Sequence, residues 1–73
     1  MEKYYKVSFK EWMAITWIFM KDKTLYTYVL KDNEEVCFIN KKTNVEVAYR
    51  EKVNGRFENY IKESEIYRYY NNR

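Results

Sequence analysis

The chain contains no histidine and no proline, and it has one cysteine and one glycine among 73 residues. Each shortage excludes some chemistry. Without histidine, no side chain has an ordinary pKa near neutrality from which to act as a general base. A nucleophilic Cys37 would need a histidine partner or a depressed pKa. It lies instead among Val36, Phe38 and Ile39, where a cysteine behaves as a small buried hydrophobe. With one thiol and no imidazole, a zinc site would have to be assembled from several carboxylates, which zinc does not favour. A single glycine, Gly55, cannot form a glycine-rich phosphate loop. The neighbouring carboxylates Glu34-Glu35 and Glu63/Glu65 read as surface charge. The expectation is a non-enzymatic protein with no cofactor and no metal.

The lack of proline and glycine also argues against flexible linkers, which are rich in both. The expectation is one ordered domain over residues 1–73, with no linker. Domains this small bury only about 60% of their unfolded surface, so their cores are marginal without reinforcement. An internal disulfide needs a second cysteine, and oligomerisation is the usual remaining staple. What the chain has instead is aromatic mass: nine Tyr, four Phe and two Trp. Each such ring buries roughly 150–250 Å².

No run reaches the ~20 apolar residues that a membrane-spanning helix requires. The longest, Trp12–Met20, lacks a small-residue cleavage site, and Glu2 and Glu11 spoil a basic leader. A cytoplasmic, non-membrane protein with a reduced Cys37 is expected. The formal net charge of +3 is mild, and Lys alternates with Asp and Glu as on a solvated surface. Such a balance excludes an acidic mimic of DNA and does not by itself point to nucleic acid.

Between Ile15 and Arg50 four apolar runs, ITWIFM, LYTYVL, EVCFIN and VEVAYR, alternate with polar clusters at a repeat of about ten residues. This rhythm predicts a β-dominated fold, α+β at the margin. Its centre is a four-stranded antiparallel meander over 15–50, open or curled into a small barrel, after a short N-terminal helix. The helix signal is the capping box Ser8-Phe9-Lys10-Glu11, followed by Trp12, Met13 and Thr16 at helical spacing. Ile15–Phe19 is β-branched and aromatic, which favours a strand. Phe9, Trp12, Met13, Trp17 and Met20 also make one helical stripe, so the alternative is a helix over 9–20 packed on a three-stranded sheet.

If polar clusters 21–24, 31–34 and 41–43 close the hairpins, residues opposite one another share a face. Trp17 then meets Tyr28 and Phe19 meets Tyr26. Tyr28 and Tyr26 meet Cys37 and Ile39, and these meet Val47 and Val45, so one side is apolar. The other side carries Ile18, Val29, Val36, Phe38 and Ala48, too apolar at its centre to remain in water. Something must cover it: a terminal segment, barrel closure or a partner. Beyond this region, Asn54-Gly55 is a strong hairpin turn. Phe57, Tyr60 and Ile61 fit a helical turn, and Glu65–Tyr70 alternates like a last strand. Glu2 to Val7 reads as an extended lead-in, and Asn71–Arg73 as a fraying end.

Tyr, Trp and Arg dominate interface hot spots, and nine Tyr exceed what so small a core can hide. A protein-binding role is therefore expected, with contacts from Tyr49, Arg50, Arg56, Tyr67, Arg68, Tyr69 and Tyr70. An exposed apolar patch could equally close a homodimer. The alternative reading is a sequence-tolerant nucleic-acid binder, with Tyr stacking on bases and Arg or Lys on phosphates. Lys, Asn, Ile, Tyr and Phe are abundant, as AT-rich coding produces. In that general character the chain resembles small accessory proteins of phages and mobile elements, including anti-CRISPR proteins. The resemblance implies an inhibitor or modulator of a host enzyme or defence complex, acting by steric occlusion.

Overall fold

Ser8 starts the first helix. Its hydroxyl accepts the Glu11 N–H at 3.1 Å, and the Glu11 carboxylate accepts the Ser8 N–H at 3.2 Å, a complete capping box. The computed structural model describes residues 3–71. In it the helix begun at Ser8, α1, runs over Phe9–Lys21. The strand expected over 15–20 is therefore replaced by the continuous helix that was its alternative. Trp12, Ile15, Thr16 and Phe19 recur at helical spacing and are all buried. Packing of that stripe outweighs the β preference of Ile15, Thr16 and Ile18, because propensity is worth only a few tenths of a kcal/mol per residue. Thr16 also returns its hydroxyl to the Trp12 carbonyl at 2.7 Å, satisfying itself within the helix.

The strands are β1 (Tyr4–Val7), β2 (Tyr26–Leu30), β3 (Val36–Asn40), β4 (Val45–Val53) and β5 (Arg56–Lys62). They form one antiparallel sheet in the order β1-β5-β4-β3-β2. The fold is β-dominated with α+β character, and the sheet is open, not closed into a barrel. A four-stranded meander is present, shifted along the chain: it comprises β2 to β5, with β1 added outside β5.

Register differs from the expectation by one residue in the first hairpin. Tyr28 lies opposite Phe38 and Thr27 opposite Ile39, with Leu30 closing on Val36. The cause is the connecting loop, in which Asn33 and Glu34 both adopt positive φ and lengthen it to Glu35. A one-residue slip exchanges the faces of a strand, so Tyr26, Tyr28 and Phe38 share one face while Val29, Cys37 and Ile39 share the other. Between β3 and β4 the turn takes residues 41–44, with Asn44 at positive φ, so Ile39 pairs with Glu46 and not Val45, and a bulge then sets Phe38 opposite Ala48. The extra residue, Val47, is turned into the core beside Ala48. Cys37 consequently faces Tyr49, not Val47.

At the next turn, Asn54 and Gly55 take φ of 52° and 78°, the geometry of a two-residue hairpin, and Val53 pairs with Arg56. The turn sets 56–62 as β5, so the helical turn expected near Phe57–Ile61 is absent. After it, Glu63–Asn71 forms α2, where a last strand had been expected over 65–70. Glu65, Ile66 and Tyr69 fall on one helical face and pack inward.

Both helices lie on the same face of the sheet. Trp12 and Phe19 pack on Phe38, with ring centroids 5.8 and 5.6 Å apart, and Phe19 lies 4.5 Å from Tyr26. Ile15, Val47 and Ile61 complete the most deeply buried layer. The helices run side by side, tied where the Tyr70 hydroxyl donates to Glu11 at 2.9 Å. The covering element required by the sequence is thus the helix pair, on one side only.

Candidate partner-binding surface

The sheet has a second face, and no described element covers it. Strand alternation decides who stands there. Pairing of Tyr49 with Tyr60 and Cys37, and of Tyr4 with Lys62, puts Tyr4, Cys37, Ile39, Tyr49 and Tyr60 on this face. Its margin carries Lys6, Glu46, Glu51, Glu58 and Lys62 by the same parity. The three tyrosines form one cluster. Tyr49 and Tyr60 are stacked with centroids 5.0 Å apart, and Tyr4 meets Tyr49 edge-on at 5.4 Å. The Tyr4 hydroxyl reaches over β5 and donates to the Glu46 carbonyl, beside the bulge.

This surface is aromatic at the centre and charged at the rim. Glu51 and Glu58 stand directly opposite one another, a like-charge pair that destabilises an isolated sheet. Glu58 is relieved by the Tyr60 hydroxyl at 2.9 Å and by Lys6 at 3.4 Å, and the Tyr60 bond holds its carboxyl below the ordinary range. The same bond raises the Tyr60 phenol. Tyr49 is raised by burial first, and then by the negative field of Glu51, Glu46 and Glu58. Cys37 lies beneath the cluster, and burial, reinforced by Glu46, keeps it a neutral thiol.

Of the residues expected from sequence to bind a partner, only Tyr49 belongs here. Arg50 points to the helix side, its guanidinium 4.0 Å over Phe57 and 5.6 Å from Phe9. Arg56 sits exposed after the β4–β5 turn. Tyr67, Arg68, Tyr69 and Tyr70 ride on α2. Tyr69 packs against the core, Arg68 donates to the Tyr26 hydroxyl at 3.1 Å, and Tyr70 is held to Glu11. Tyr67 is 61% exposed, with its hydroxyl toward Glu63 at 3.4 Å. The set is thus divided between opposite sides of the molecule. Tyr4 and Tyr60 were missed, although a period-2 reading of Tyr4–Val7 and Phe57–Lys62 would have aligned them with Tyr49.

A cleft of about 330 Å³ opens between the helices, lined by Ile15, Ile18, Phe19, Tyr26, Glu65 and Arg68. Its polar groups bind each other: Tyr26 donates to Glu65 at 2.8 Å and accepts from Arg68. Burial, with the nearby Glu65 carboxylate, raises the Tyr26 phenol far above its ordinary pKa and keeps it a donor. This is a joint between α2 and β2. Among the described residues no group of Cys, Asp or Glu side chains is arranged to hold a metal ion, and no helix is long and apolar enough to cross a membrane. No protein-family model matches the chain, and neither a curated protein nor a solved structure matches it.

Proposed function

We propose that the protein is a stoichiometric protein-binding module whose uncovered sheet face docks on a larger host factor and blocks it by occlusion. The observation that carries this reading is the Tyr4–Tyr49–Tyr60 cluster inside a charged rim. Interfaces have this anatomy: a desolvated aromatic centre within a polar margin. Tyrosine rings already packed on one another surrender little side-chain entropy on binding. The opposed Glu51 and Glu58 favour a partner that presents a lysine or arginine at that point, where the like-charge strain would be relieved.

Stacked rings on an open sheet also suit bases, which makes nucleic acid the competing reading. The electrostatics disfavour it. Glu46, Glu51 and Glu58 outnumber Lys6 and Lys62 around the rings, and Lys6 is already paired. A phosphate backbone needs the reverse balance.

Affinity capture from a low-GC bacterial lysate, in nuclease-treated and untreated halves, tests the proposal. The bait is the wild-type chain or the variant Tyr60→Arg. The expected result is a protein retained in both halves by wild type and lost with Tyr60→Arg, while Tyr67→Ala retains it. Truncating a central hot-spot tyrosine costs at least about 2 kcal/mol of binding. Retention of nucleic acid alone, removed by nuclease, would overturn the reading.

A further inference from the structure

Strand β2 is an edge of the sheet, and its outer side is unusually apolar. Leu30 is 73% exposed, Tyr28 51% and Val29 45%, with no charge or proline within Tyr26–Leu30 to discourage pairing. The parity of its hydrogen bonds is fixed at both ends. Lys41 N–H donates to the Leu25 carbonyl and Lys31 N–H to the Glu35 carbonyl, each at 2.7 Å. Antiparallel pairs alternate between bonded and non-bonded, so Leu25, Thr27, Val29 and Lys31 turn inward to β3. The N–H and C=O groups of Tyr28 and Leu30 therefore point away from the sheet. Tyr26, of the same parity, has its N–H taken by the Asp22 carbonyl at 3.0 Å.

Beside this edge stands the outer flank of α1. Met13, Trp17 and Met20 are 53%, 60% and 48% exposed on the side of the helix remote from α2. Met20 lines a hollow with Tyr28, Thr27 and Phe38 at the strand edge. The ends of the strand differ in charge. Lys23 and Lys41 lie together at its start, where the Lys41 ammonium bonds the Lys23 carbonyl at 2.6 Å. Asp32 and Glu34 lie past its end, with Lys31 between them and the strand, so the net charge there is negative.

We infer that β2 pairs antiparallel with β2 of a second copy, joining two sheets into one of twice the five strands. In the register that sets Tyr28 against the second copy's Leu30, and the reverse, all four outward groups are bonded and Val29 meets its own counterpart. The two-fold axis stands perpendicular to the sheet, so both pairs of helices stay on one side. The two α1 flanks then face each other over Tyr28 and Leu30. The antiparallel sense also brings Lys23 and Lys41 of each copy against Asp32 and Glu34 of the other. One copy thus supplies backbone, apolar and charge complementarity together. A strand of another protein need supply only the first. The inference does not rest on the proposed function, because the tyrosine face is a different surface.

Sedimentation equilibrium of the full chain across micromolar concentrations tests it. The expected mass is twice 9.2 kDa. Leu30→Pro removes an N–H that points out of the sheet, a site where an edge strand tolerates proline, and should weaken the dimer at least about tenfold. A chain that stays monomeric to about 1 mM, or a Leu30→Pro dimer as tight as wild type, overturns the inference. Should Leu30→Pro fail to fold, charge reversal decides. Lys23→Glu/Lys41→Glu and Asp32→Lys/Glu34→Lys should each be monomeric alone and should dimerise when mixed, since both contacts are then restored. Failure of the mixture to dimerise refutes the two-fold pairing.

Discussion

Tyr26→Phe removes one oxygen from the joint between β2 and α2. That hydroxyl donates to Glu65 at 2.8 Å, and the two residues are only 5% and 8% exposed. Phenylalanine keeps the ring packing on Phe19, so the loss isolates the hydrogen bond. Hydrogen bonds to charged groups contribute about 1.5–3 kcal/mol, and a buried partner left unsatisfied puts the cost toward the upper half. Arg68 also loses an acceptor, but it is exposed and water replaces it. The expected loss is about 2 kcal/mol. A domain of this size has a total stability of roughly 4–11 kcal/mol. The thermal midpoint should fall by about 8–16 °C, and urea unfolding should show a lower midpoint at unchanged m. The double variant Tyr26→Phe/Glu65→Leu removes both polar partners and should recover most of the loss. A single variant within about 0.5 kcal/mol of wild type would refute the reasoning. So would a double variant worse than the sum of the two single changes.

Four phenols, Tyr5, Tyr26, Tyr49 and Tyr60, are raised above their ordinary value of about 10 in the folded protein. Their contribution is complete below about pH 10 and is lost as pH rises beyond it, because the unfolded chain releases these protons first. Tyrosinate absorbance should therefore rise together with loss of circular dichroism, and Tyr26→Phe should flatten the slope. Ile61→Ala, at a fully buried site under both helices, should cost about 2–5 kcal/mol in denaturant unfolding. Met13→Ala, on the exposed flank of α1, should change the monomer's stability by less than about 0.5 kcal/mol. Ser8→Ala breaks the capping box and should cost about 1 kcal/mol, read as a lower urea midpoint.

The parts of the fold legible in sequence were those with local causes. Ser8 and Glu11 announce α1, and Asn54-Gly55 announces the β4–β5 turn, because each feature is satisfied within four residues. The demand for cover over an apolar sheet face was likewise readable from alternation. What failed depended on distant partners. Ile15–Phe19 is helical because Phe38 and Ile61 lie beneath it, not through its own preferences. Glu65–Tyr70 carries period 2 and period 3.6 at once, and the burial of Glu65 against Tyr26 selects the helix. The proposed docking surface was harder still. Rings counted along the chain do not reveal parity, and the shift at the β2–β3 loop and the bulge at Val47 decide which side each residue joins.

That parity has an evolutionary consequence. Along β5, Phe57, Asn59 and Ile61 face the helices, while Glu58, Tyr60 and Lys62 between them stand on the opposite face of the sheet. The same interleaving runs through β3 and β4 except at the bulge, where Val47 and Ala48 are both in the core, and at Cys37, which is buried on the open side. Adjacent codons therefore answer to different selective pressures: every second one is constrained by folding, and its neighbour only by whatever the open face meets. If the proposed docking is what selects this face, a lineage tracking a changing partner could rewrite Tyr60 and the rim carboxylates while leaving the helix-side core as it is.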